Sequence, residues 1–148
     1  MNLRHWIGAC ALALVATPAF AQQSIPAGHV KVASGSAFIV RGGTTLPVKT
    51  GEAVFEADSL KTGTDGRVGI TLRDDTRVSI GPSSEVHLSS FVYAPSDGQL
   101  GLALKFVRGV AAYVSGRIAK LAPDAVRLET PASILGVRGT MLAVRVSE

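Results

Sequence analysis

Few side chains in this sequence are of the kinds that do covalent chemistry, and their spacing limits what they could do together. Nucleophilic catalysis needs a Ser, Thr or Cys beside a His that a carboxylate orients. The nearest approach is Ser83-Ser84-Glu85 followed by His87. Glu85 and His87 share one face of an alternating segment, and no G-x-S-x-G elbow precedes them, so the stretch reads as a turn flanking a strand. His29 and His87 fall in separate segments. No H-x-x-x-H, C-x-x-C or acid-rich loop accompanies them, so neither a metal site nor a cofactor is expected. Asp74-Asp75 could pair carboxylates for acid–base work. Adjacent residues at a reversal point to opposite sides, however, and a two-residue reversal favours such residues, so the pair reads as a turn. Gly136-Val137-Arg138-Gly139-Thr140 has the glycines of a phosphate-cradling loop without its G-x-x-x-x-G-K-[ST] spacing. These glycines fit a bend between strands, with Arg138 reaching a carboxylate or carbonyl. No enzyme is expected.

Recognition falls instead to arginines. Residues 101–148 carry 7 basic and 3 acidic groups, against 7 basic and 8 acidic in residues 22–100. Arg108, Arg117, Arg127, Arg138 and Arg145 are the candidate binding residues, because a guanidinium recognises carboxylate or phosphate bidentately. The competing expectation is internal pairing with Asp124, Glu129 or main-chain carbonyls. A basic C-terminal third favours an anionic partner. Nucleic acid is not expected, since no recognition helix or aromatic–basic platform is visible.

The elements that must position these residues are strands. Val68, Ile70 and Leu72 alternate with Arg67, Gly69, Thr71 and Arg73; Val78 and Ile80 alternate with Arg77 and Ser79. The same period of two recurs at Val86 and Leu88, from Leu100 to Phe106, at Val126 and Leu128, and at Leu142, Val144 and Val146. Turn chemistry separates the runs at Arg41-Gly42-Gly43, Gly63-Thr64-Asp65-Gly66, Asp74-Asp75, Gly81-Pro82 and Ser96-Asp97-Gly98. A helix is credible only over residues 115–121, where Gly116 weakens it. The pattern predicts a single all-β domain of short strands, as a sandwich, barrel or solenoid.

The 148 residues suffice for one domain. Residues 1–21 predict a cleavable signal peptide: Arg4 precedes an apolar stretch from Ile7 to Ala16, Pro18 breaks it, and Ala19-Phe20-Ala21 is a small-x-small cleavage site. The apolar stretch is too short for a transmembrane anchor. The chain has one cysteine, Cys10, and one tryptophan, Trp6; both leave with the leader. The expected mature chain is residues 22–148, exported, without disulfides and held by its core alone.

Three blocks carry a resemblance. The first runs from Gly51 through Asp58, Ser59-Leu60-Lys61-Thr62-Gly63, Asp65-Gly66-Arg67 and Asp74-Asp75-Thr76 to Ser79-Ile80-Gly81-Pro82-Ser83-Ser84-Glu85-Val86. The second is a hydrophobic strand from Leu104, then Arg108-Gly109 and Val114-Ser115-Gly116-Arg117-Ile118-Ala119-Lys120. The third, Glu129-Thr130-Pro131-Ala132-Ser133-Ile134-Leu135-Gly136-Val137-Arg138-Gly139-Thr140, includes the motif residues Thr130, Pro131, Gly136, Arg138, Gly139 and Thr140. In order and spacing the three resemble the FecR periplasmic domain family. One local departure is Asp74-Asp75 where the family usually has Asp-Gly.

The resemblance implies a non-enzymatic β domain in the periplasm and favours a solenoid-like twisted stack of strands, with a β-sandwich as the alternative. Regulators of the family join this domain to a cytosolic sigma-factor-regulating segment, a membrane helix and a transporter-contacting region. Here a leader stands in place of the cytosolic arm, and the sequence stops at Glu148, just past the third block. The expectation is therefore a stand-alone secreted version: a protein–protein interaction module binding an envelope protein, with edges open to strand addition. The alternative is a glycan- or lipopolysaccharide-binding accessory protein, with an anionic glycan or lipid as partner.

Overall fold

A computed structural model describes residues 24–137 and 139–147. The proposed leader and Arg138 lie outside the described residues. Alternating apolar positions become strands in chain order: β1 (Gly28–Ser34), β2 (Ala37–Arg41), β3 (Thr44–Pro47), β4 (Ala53–Val54), β5 (Ser59–Thr62), β6 (Arg67–Leu72), β7 (Arg77–Ile80), β8 (Glu85–Ala94), β9 (Gln99–Val114), β10 (Val126–Glu129), β11 (Ile134–Leu135) and β12 (Met141–Val146). One short helix, α1 (Arg117–Leu121), follows β9. Among the described residues no helix is long and apolar enough to cross a membrane.

The strands run β3-β2-β5-β8-β9-β7-β6-β1-β4, and β9 is the element that curls them. Its residues 99–108 pair with β8, while Val114 to Ala111 pair with β7. Its opposite edge holds β10, parallel, against residues 102–105 and β12, antiparallel, against residues 109–114. The strand turns between these halves at Gly109, whose φ is 81°. A Cβ there would lie 2.2 Å from Ser84 Oγ, so both the left-handed backbone and the close approach of Ser83 and Ser84, just before β8, require glycine. The resulting half-barrel closes on one core that includes Ile39, Leu72, Leu102, Leu104, Phe106, Tyr113, Ile118 and Leu128.

The all-β single domain expected from the alternation is what the described residues form. Each predicted run is a strand, and the predicted helix occupies Arg117–Leu121. One detail differs. Asp74-Asp75 sits in a four-residue connection between Leu72 and Arg77 instead of a two-residue reversal. The turn is longer because Asp74 folds inward, and Asp75 takes the left-handed position with φ 68°.

Candidate functional site

The first two recognisable blocks contribute the buried polar residues Asp58, Thr62, Asp74, Thr76 and Ser84, which hold turns to strands. Asp58, 1 % exposed, accepts bonds from Arg41 Nε (2.9 Å), Arg41 Nη2 (2.8 Å) and the Phe55 amide (2.8 Å). Arg41 also stacks 4.6 Å over the Phe55 ring, and its bond to Asp58 raises the guanidinium above its ordinary value. Thr62 Oγ1 donates to Gly81 O (2.6 Å) and accepts from the Ser84 amide (3.0 Å). Asp65 accepts from the Ser36 amide (3.2 Å), and the Ser36 bonds hold its carboxyl below the usual range. Asp74, fully buried, accepts from Thr76 Oγ1 (2.7 Å), the Thr76 amide (3.1 Å) and the Ile118 amide (3.3 Å). Gly116 packs so closely here that a Cβ would lie 2.3 Å from the Thr76 amide. These bonds act as folding devices, buried at Asp58, Thr62 and Asp74 and at the surface at Asp65.

The third block is turned outward. Thr130 closes a tight turn, its Oγ1 accepting from the Ser133 amide (3.1 Å) and its own amide donating to Ser133 O (2.8 Å). Pro131, Gly136, Gly139 and Thr140 are exposed, and a Cβ on Gly136 would meet nothing within 4 Å. This block forms one wall of an open cleft of about 850 Å³. Facing it are Ala119 and Lys120 of α1, Asp124, and Val126 and Arg127 of β10, with Ile134 exposed at the rim. The cleft therefore combines apolar surface with two cations and one carboxylate, a setting suited to docking an amphipathic surface. Among the described residues, no cluster of three or more His, Cys, Asp or Glu could hold a metal ion.

The candidate arginines do not assemble into one patch. Arg127 lines the cleft while pairing with Glu129 on its own strand. Arg117 stands outside it, 3.4 Å from Asp75 and beside Tyr93. Arg108 meets Glu85 at 3.8 Å, where Lys61 also converges at 3.6 Å. Arg145 lies on β12 with Arg67 at the margin of a shallow trough on the outer sheet face. Ser84, weighed as a nucleophile, is fully buried and its hydroxyl lies among Pro82 O, Val110 O and the Val110 amide. His87 instead meets Ser59, Nδ1 to Oγ 2.8 Å, across β5 and β8. Neither Ser59 nor His87 lines the cleft or the trough.

A family profile described as FecR protein matches residues 58–148, more than half of the sequence. The chain belongs to the FecR family. The resemblance read from the three blocks is thereby confirmed, and the match begins at Asp58, the buried partner of Arg41. No curated protein and no solved structure matches the chain. Within the FecR match, residue spacing alone missed the inward roles of Asp58, Thr62 and Asp74. A signal for Asp74 was present: it shares parity with Ile70, Leu72, Val78 and Ile80, all buried. The cleft had no such signal, because its walls come from α1, β10 and the segment around β11.

Proposed function

We propose that this FecR-family chain is an exported, non-enzymatic interaction module of the periplasm that binds an envelope protein through the cleft beside α1 and β10. The observation that carries this reading is the contrast in burial. The buried polar residues of the first two blocks hold turns and strand junctions, whereas Gly136, Gly139 and Thr140 of the third stand on an open wall, opposite Ala119 and Lys120 from the end of the second. Exposed Ile134, 62 % accessible, and half-buried Val137 offer apolar contact there. Lys120 and Arg127 add positive charge beside it. Export rests on the leader read in residues 1–21, with cleavage after Ala21.

The same two cations favour a second reading, an accessory protein that binds an anionic glycan or lipopolysaccharide. Crosslinking in intact periplasm, followed by purification of the tagged chain, separates the two. Wild type and the variant Ile134→Ser, Val137→Ser would capture the same glycan or lipid in the second reading, with capture lost in high salt and in Lys120→Ser, Arg127→Ser. In the first reading one envelope protein is enriched by wild type and lost from the apolar variant. Equal recovery by wild type and both variants would remove the cleft from either role.

A further inference from the structure

The exposed edges of this half-barrel are not equally protected. Edge strands present unpaired N–H and C=O groups, and natural proteins blunt them with short length, proline, charged side chains or a bulge. Among the described residues, four strands end the sheet: β3, β4, β11 and β12. β4 and β11 have two residues each, and β3 ends on Pro47. β12 has six, Met141-Leu142-Ala143-Val144-Arg145-Val146, in continuous register with β9, without proline or bulge and with Arg145 as its one charge.

Two bonds fix which backbone groups of β12 face outward. The Ser115 amide donates to Thr140 O (2.9 Å), and the Gly81 amide donates to Val110 O (3.0 Å). Bonded and non-bonded pairs alternate along an antiparallel ladder. β9 therefore bonds β7 through Val110, Ala112 and Val114, and bonds β12 through Ala111 and Tyr113, which oppose Val144 and Leu142. Met141, Ala143 and Arg145 direct their N–H and C=O groups away from β9, along the open edge. Met141 is also 72 % exposed.

We propose that β12 pairs antiparallel with β12 of a second copy of this chain, about a two-fold axis through Ala143. The sequence of the strand is self-complementary in that register. The axis can pass through a bonded position (Met141, Ala143 or Arg145) or a non-bonded one (Leu142 or Val144). Centring on Leu142 would leave the outward groups of Arg145 without a partner in the strand, and centring on Val144 would leave those of Met141. Centring on Arg145 would place two guanidinium groups directly opposite, which is destabilising. Centring on Met141 would leave Arg145 and Val146 beyond the paired segment. Centring on Ala143 sets Met141 against Arg145 and Leu142 against Val144, so no like charges oppose and every outward group of the three residues finds a partner. The arginine stem lies along the methionine. Leu142 and Val144, which pack toward the core, continue it across the axis. On the outer face, Gly69, Ser79, Ala112 and Ala143 form one cross-strand row flooring the trough of about 550 Å³, and the pairing sets two such troughs end to end. Two six-residue strands cover less than the ~1,200–2,000 Å² of a standard interface, so the dimer is reversible.

The test uses the chain expressed from its full coding sequence and purified from the periplasm, followed by sedimentation velocity over a concentration series. Wild type is expected to pass from monomer to dimer. Ala143→Lys and Ala143→Glu each face their own copy at the axis, so each alone weakens self-association by roughly tenfold. An equimolar mixture of the two recovers a dimer, because Lys then opposes Glu. Rescue by mixing cannot come from a folding defect. A wild type that stays monomeric to its solubility limit overturns the proposal, as does a dimer that neither single variant weakens. A β12 edge occupied by a different protein overturns it too, and is recognised as a heterocomplex in which this chain is present once.

Discussion

At the scale of single residues, the polar groups closed inside the sheet carry the turns. Asp74 accepts three hydrogen bonds in full burial, and its main-chain oxygen accepts from the Arg117 amide at 2.7 Å. Asp74→Ala leaves Thr76 and Ile118 donors unsatisfied, and equilibrium urea unfolding should show a loss of about 3–5 kcal/mol. The neighbouring Asp75 gives the control. It is exposed, occupies φ 68° and meets Arg117 only at the surface, so Asp75→Gly should change stability by less than about 1 kcal/mol. Tyr113 makes a second residue-scale prediction. Its hydroxyl is buried with no hydrogen-bond partner among the described groups, and burial, followed by the charge of Asp74, pushes its pKa up to about 12. The unfolded chain ionises this phenol near pH 10 while the folded chain holds it neutral. The stability contribution is thus intact below pH 10 and is lost as pH rises toward 12, a fall of about 2–3 kcal/mol. Tyr113→Phe should remove that fall relative to wild type and add about 1 kcal/mol at neutral pH. Urea midpoints for both proteins at pH 8 and at pH 11 check the sign.

At the scale of elements, β9 does the most to shape the molecule, and its role was half legible in sequence. The alternation of Leu100, Leu102, Leu104 and Phe106 identifies the first half of the strand. The second half, Val110-Ala111-Ala112-Tyr113-Val114, alternates weakly because Ala111 and Ala112 differ little in polarity. Nothing local announces that a single strand serves β8 and β10 at one end and β7 and β12 at the other. That information is long-range and appears only when the sheet closes. Gly109 is where the two halves meet, and it yields the prediction at this scale. Gly109→Ala must place a methyl at φ 81° within 2.2 Å of Ser84 Oγ and 2.6 Å of Ser83 O. Backbone strain and overpacking together should cost about 2–5 kcal/mol. Because β9 links both halves, thermal unfolding should remain one transition with a lowered midpoint, and two separated transitions would show that the halves fold independently. The candidate site was least legible for the same reason. The third block was visible as a motif, but the facing wall of the cleft comes from Ala119, Lys120 and Val126, which no spacing connects to it.

At the scale of the whole molecule, the proposed export and the fold bear on the same stretch of chain. Among the described residues, the first main-chain contacts are made at Pro26 and Ala27. The Ala27 amide donates to Val54 O at 2.7 Å, and Arg73 Nε donates to Pro26 O at 2.8 Å. Ser24 and Ile25, just before them, are exposed, Ile25 at 72 %. A cut after Ala21 therefore leaves every residue that the described fold uses, including the exposed Ser24 and Ile25. Processing and folding are then separable, and this is measurable. The chain recovered from the periplasm should have the intact mass of residues 22–148, beginning at Gln22. Its urea midpoint should equal that of a chain shortened to begin at Ser24, because among the described residues the contacts begin at Pro26 and Ala27. A shortened chain that begins at Gly28 loses both Pro26 O and the Ala27 amide, and with them the fully buried Ala27 side chain at the edge of β1 and β4. It should be less stable by about 2–3 kcal/mol. Equal midpoints for all three chains would show that the residues before Gly28 contribute nothing, and a drop already at Ser24 would place part of the fold inside the segment now assigned to the leader junction.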